Sequence, residues 1–113
     1  MACFTTSPYG ITGCTDANTY TSTATSVDFQ MEAGSNPAGV TYNYTACLQK
    51  YDSYDGWINW SCKSGSFSRK TSVMAFSLTS PNAPAGTYRM MVNFSAGAAV
   101  VPFSAVTSTF IVQ

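Results

Sequence analysis

Four cysteines, Cys3, Cys14, Cys47 and Cys62, stand in a 113-residue chain that contains no histidine. Their spacings, C-x10-C and C-x14-C, are far too long for the short paired knuckles that hold structural zinc, and no imidazole is present to complete a mixed site. An even number of cysteines in a small chain rich in Ser, Thr and aromatics points to a disulfide framework formed outside the reducing cytoplasm. Three pairings are open to four cysteines. Cys3 with Cys14 and Cys47 with Cys62 is the expected one, because it keeps both bridges local.

A chain of this length fits one domain over residues 1–113 and buries roughly two-thirds of its unfolded surface. Five basic and five acidic residues cancel to a formal charge of zero. No basic footprint for nucleic acid or an anionic membrane is present. No apolar run approaches the roughly 20 residues of a membrane helix, and no signal peptide opens the chain. An exported protein would therefore have lost its signal, with Met1 an added initiator. Cys3 then lies close to a mature end, where bacterial lipoproteins carry an acylated cysteine. That use would leave an odd thiol among the other three, so the disulfide is preferred.

Hydrophobic residues alternate with period two, as in half-buried strands, and nowhere with the helical period. Val27, Phe29, Met31 and Ala33 define one strand, closed by the turn-forming Gly34, Ser35, Asn36, Pro37 and Gly39. Val40, Tyr42, Tyr44, Ala46 and Leu48 define a second, and Met74, Phe76 and Leu78 a third. Tyr88, Met90, Val92 and Phe94 mark another, and Thr109 to Val112 a closing strand with Phe110 and Val112 on one face. Six to eight short strands with turns every 8–12 residues describe an antiparallel two-sheet sandwich.

Between Cys47 and Cys62, the tetrad Ser53, Tyr54, Asp55 and Gly56 reads as a four-residue hairpin turn. Asp52 would then face Trp57 and Cys47 would face Cys62. Strict alternation puts Cys47 on the face opposite Tyr44 and Leu48. Either the bridge lies on the outer surface or a bulge shifts the parity.

The run Pro81, Asn82, Ala83, Pro84, Ala85, Gly86, Thr87, Tyr88, followed by alternating apolar residues, resembles the corner before the sixth strand of immunoglobulin-like and fibronectin-type sandwiches. The resemblance covers about the last third of the chain. It implies an immunoglobulin-like fold in which Tyr88 hydrogen-bonds back to upstream backbone. Met90 stands where antibody domains carry a cysteine, so antibody kinship is not implied.

Without histidine there is no ordinary Ser-His-Asp or Cys-His arrangement, and no catalytic, cofactor or metal residue is assigned. Asp52 and Asp55 are two acids on one turn, whose ordinary role is to solvate it; with Asp16 they do not match a calcium loop. Tyr51, Tyr54, Trp57 and Trp60 cluster at the hairpin. Exposed, coplanar rings there would stack sugars, whereas packed rings would cover the core and the disulfide. The packing reading is preferred, with Trp60 sharing a face with Ile58 and Cys62, and Trp57 lying with Asn59. The apolar run Gly97, Ala98, Ala99, Val100, Val101, Pro102, Phe103 is expected to be a strand with an edge proline rather than an exposed tip. Sequons at Asn43, Asn59 and Asn93 arise readily in a Ser- and Thr-rich chain.

The expectation is thus an all-β, immunoglobulin-like sandwich with two local disulfides, monomeric and non-enzymatic, without cofactor. It would be secreted, periplasmic or on the cell surface, as a binding or structural protein of the bacterial surface-antigen type. A carbohydrate-binding module and a subunit that assembles through an edge strand are the alternatives, with an unidentified protein or glycan as partner.

Overall fold

In the computed structural model, residues 1–7, 9–34, 39–79, 82–97 and 100–113 are described; the side chain of Val100 is not. Residues 35–38 of the expected turn, residue 81 at the start of the corner and residues 98–99 of the apolar run lie outside these residues.

Among the described residues, ten strands form two sheets. In chain order they are β1 (Cys3–Thr5), β2 (Ile11–Thr15), β3 (Thr19–Tyr20), β4 (Ser26–Ala33), β5 (Tyr42–Asp52), β6 (Gly56–Phe67), β7 (Met74–Ser77), β8 (Gly86–Ala96), β9 (Val100–Val106) and β10 (Phe110–Val112). One sheet has the order β1-β2-β4-β7. The other runs β3-β10-β8-β5-β6, with β9 also paired to β8. All pairs are antiparallel except β10 with β3, where Ile111 and Val112 run alongside Thr19 and Tyr20. The architecture is an all-β, immunoglobulin-like two-sheet sandwich with two disulfides.

Alternation explains the long strands directly. Val27, Phe29 and Met31 of β4 are fully buried between Asp28, Gln30 and Glu32, and Tyr88, Met90, Val92 and Phe94 of β8 face the same core. β1 to β3 are additional to the strands that alternation marks, because strands of three, five and two residues are too short for period two to show. Val40 lies before β5, and Leu78 is buried just after β7. Of the run 97–103, expected as a strand with an edge proline, residues 100–103 lie on β9, which continues to Val106; Pro102 stands on it, and among the described residues β8 is the strand paired to it. A strand at the sheet edge tolerates the missing N–H.

The sheets meet through rings. Phe4 of β1 lies 6.1 Å from Phe29 in its own sheet and 6.2 Å from Phe94 in the opposite one. Phe94 in turn stacks on Phe103 at 4.9 Å. Room for this junction comes from Gly13, where an added Cβ would lie 2.6 Å from Phe4 and 2.8 Å from Phe29. Gly65 plays the same part on β6, with the Tyr44 ring lying over it. Tyr88, fully buried, donates its hydroxyl to the Pro84 carbonyl at 2.6 Å. Burial raises its pKa.

Both bridges are local: Cys3–Cys14 joins β1 to β2 and Cys47–Cys62 joins β5 to β6. Their Cα separations, 4.2 and 4.1 Å, mark cross-strand pairs that do not exchange backbone hydrogen bonds. Cys3 and Cys62 therefore turn their backbone N–H and C=O away from the bonded neighbour. Cys3 shows this, since its carbonyl accepts from Ser108 N–H at 3.2 Å. Because Cys3 is spent in a bridge, it is not the free cysteine that acylation needs. Ala2, ahead of it, is buried and hydrogen-bonded to Thr15.

Gly13→Ala should destabilise the protein by about 1–3 kcal/mol, the ordinary cost of overpacking a core. Gly34→Ala, where no positive φ is required and an added Cβ would lie 3.4 Å from the nearest atom, the Gly10 carbonyl oxygen, should change stability by no more than about 0.5 kcal/mol. Urea unfolding of both variants checks the ranking, and equal losses would mean that the Phe4–Phe29 junction relaxes freely. Tyr88→Phe keeps the ring and removes one hydrogen bond, so a loss of about 1–2 kcal/mol is expected in the same assay.

Candidate functional site

The hairpin joining β5 to β6 departs from the expected register in two places that cancel. Asp52 pairs with Gly56, not Trp57, so three residues rather than four separate the paired ends. Gly56 takes a positive φ of 74°, as such a turn requires. Further along, Leu48 pairs with Ser61 but Gln49 with Asn59, leaving Trp60 as the extra residue of a bulge. Cys47 therefore still faces Cys62.

The bulge settles which faces the side chains take. Cys47 pairs with Cys62 on one side and Met91 on the other, across from the core-facing Ala46 and Leu48, so the bridge lies on the outer face of the sheet. Cys47 is nonetheless only 3 % exposed. Trp57 and Asn59 lie on this outer face with Tyr51 and Gln49. Trp60 packs against the core instead and does not share a face with Cys62, contrary to the expectation from strict alternation. Its indole N–H is buried without an acceptor among the described residues.

Around Trp57 the outer face is tightly organised. Arg89, brought from β8 by its register with Gln49, lays its guanidinium over the Trp57 ring at 4.3 Å. Arg89 Nε donates to Gln49 Oε1 at 2.8 Å, and Gln49 Nε2 donates to Asn59 Oδ1 at 2.9 Å. Tyr51 meets Trp57 edge to face at 5.3 Å, with an interplanar angle of 67°. Tyr51 is 49 % exposed and Tyr54, at the hairpin tip, 95 %. Beside this group a row of less polar side chains crosses four strands, Val106, Met91, Cys47 and Cys62. Ile111 is exposed on the same face. Asn43, Asn59 and Asn93, the three sequon asparagines, are all exposed on it too.

Of the residues singled out in the sequence, Tyr51, Tyr54 and Trp57 gather here, while Trp60 and Tyr88 turn to the core. Arg89 and Gln49 complete the site and carried no signal of their own. Forty positions separate them, and only the β5–β8 register brings them together. The three aspartates are not assembled. Asp16 stands beside the other sheet, accepting from Tyr20 Oη at 2.5 Å and from the Asp28 amide. Burial and the Asp16 carboxylate push the Tyr20 hydroxyl strongly upward in pKa. A cavity of about 320 Å³ over β2 and β4 is lined by Asp16, Asp28 and Glu32. Among the described residues no group of three or more His, Cys, Asp or Glu could hold a metal ion.

Residues 1–108 match the family model of the YqgA MG2 macroglobulin domain. No curated protein and no solved structure gives a significant match.

Asp52 organises the turn itself, accepting the Tyr54 N–H at 2.7 Å and the Asp55 N–H at 3.1 Å. These two donors lower its pKa. A depressed folded pKa means that the contribution is present above the unfolded value of about 3.9 and is lost as pH falls through the folded value. A carbon-13 titration of the Asp52 carboxyl should therefore show a midpoint below about 3.9. Asp52→Ala should speed amide exchange at Tyr54 and Asp55 while leaving Leu48 protected. A midpoint at or above the ordinary value would mean that the turn does not depend on this carboxylate.

Proposed function

The chain belongs to the family of the YqgA MG2 macroglobulin domain, and from that premise we propose a non-catalytic, exported structural and binding module. Its recognition surface is the outer face of the β5–β6–β8 sheet. Membership of a macroglobulin-like family and two disulfides are consistent with an extracellular or envelope location. Among the described residues no helix is long and apolar enough to cross a membrane.

The observation that carries the binding reading is the ordered group of Arg89, Trp57, Tyr51 and Gln49 on an outer sheet face. Arg, Trp and Tyr are the residue types on which protein interfaces concentrate their binding energy, and Met91, Val106 and Ile111 supply apolar area beside them. A sugar platform is supported less well. One face of Trp57 is covered by Arg89, and the Tyr51 and Trp57 rings are not coplanar.

A second reading, assembly through an edge strand, rests on β6. It runs for 12 residues and, among the described residues, pairs with β5 alone. The register of the Cys47–Cys62 pair turns the backbone groups of Cys62, Ser64 and Ser66 away from β5. A partner strand would add there.

Hydroxyl-radical footprinting separates these readings. The purified protein is compared with protein in the extracellular or envelope fraction of its host. Tyr51, Tyr54 and Met91 are expected to lose several-fold of their labelling, while Val73, exposed beside the other sheet, keeps its own. Protection confined to Ser61–Phe67 would favour the edge, and unchanged labelling throughout would reject both.

A further inference from the structure

The basic side chain at the centre of the outer face is held rigidly, yet most of its hydrogen-bonding capacity is unused. Arg89 has five N–H donors. One, on Nε, is committed to Gln49 Oε1 at 2.8 Å, and the guanidinium lies 4.3 Å from the Trp57 ring centre. Gln49 is itself fixed by Asn59 and almost fully buried. The donors on the two terminal nitrogens meet no acceptor among the described residues.

No carboxylate of the chain satisfies them. All five acids, Asp16, Asp28, Glu32, Asp52 and Asp55, belong to the described residues, and none forms an ion pair with Arg89. Asp16 is held by Tyr20, and Asp52 by the turn amides. Partial burial lowers the pKa of Arg89, with no carboxylate opposing the shift.

We propose that Arg89, laid on Trp57 and braced by Gln49, receives an Asp or Glu carboxylate of a protein partner that docks on this outer face. A planar guanidinium with two free terminal nitrogens matches a carboxylate in bidentate geometry, and a charge-assisted pair of this kind is stronger than a neutral one. Because stacking and the Nε bond already restrict the side chain, little further ordering accompanies binding. The rim supports a protein rather than an acidic glycan. Tyr51, Ile111, Met91 and Val106 offer scattered apolar contacts around the charge, whereas a stacked sugar finds one face of Trp57 covered by Arg89 and the Tyr51 ring turned 67° from it. The proposal rests on the outer face being the recognition surface and adds the chemistry of its centre.

The test is selection of ligands from a random displayed peptide library on the intact, oxidised protein. Enriched peptides are expected to share an Asp or Glu. Its replacement by Asn or Gln should weaken binding tenfold or more to the wild type, and less than twofold to Arg89→Gln. Circular dichroism and tryptophan fluorescence report whether Arg89→Gln is folded; if it is not, Arg89→Lys, which keeps the charge and loses the fork, should cut the acid dependence to a few-fold, and an undiminished tenfold effect would overturn the bidentate assignment. Peptides that bind through Tyr51 and Trp57 without acid dependence would keep the recognition face and overturn the carboxylate assignment. No enrichment at all would overturn both. Arg89-dependent binding of polyglucuronate without any acidic peptide would overturn the choice of a protein partner.

Discussion

The contact between the two sheets through Phe4 is the constraint on which the rest of the sandwich depends. A chain with 9 % charged residues has few salt-bridging options, so its stability comes from burying one face of each sheet. Phe4 reaches both Phe29 and Phe94, and it does so only because position 13, on the neighbouring strand, has no side chain. Once that spacing is set, Phe94, Phe103 and Tyr9 stack in succession, at 4.9 and 4.8 Å, and close the edge of the core beside β9. The core is thus propagated by ring contacts from one edge strand to another.

Long strands were legible in the sequence because their inner residues are large and regularly spaced. β4, β5, β7, β8 and β10 all have this pattern. β1 to β3 were not, since their few residues include Gly13 and several threonines, whose burial depends on what packs over them. β6 was read from its turn and its cysteine, not from alternation, for another reason. Ser61, Lys63 and Gly65 pair with core-facing residues of β5 yet are small or polar. Tyr44 covers Gly65, and the Lys63 ammonium sits 5.8 Å from the Phe76 ring centre at the open side of the sandwich. A strand whose inner positions are covered by its neighbours' side chains carries no hydrophobic alternation of its own.

The outer-face site was legible in half. Its aromatic members stand close together in sequence, so Tyr51, Tyr54 and Trp57 could be grouped before any fold was known. The charged and amide members could not, because Arg89 reaches Trp57 only through the pairing of β5 with β8. The faces of Trp57 and Trp60 turn on a single residue of bulge. Without it, the shorter turn would have moved Cys62 out of register with Cys47, and the disulfide could not have formed between directly opposed strands.

The two bridges also have a mechanical consequence. Each closes a short segment, with separations of 11 and 15 residues, so neither segment can be drawn out when the chain is pulled from its ends. Together they withhold on the order of 80 Å of contour from an extended chain. A domain joined in line with others would lengthen by that much less on being stretched open. The β5–β6 hairpin, with Tyr51, Tyr54 and Trp57 around its tip, would remain a closed loop under tension.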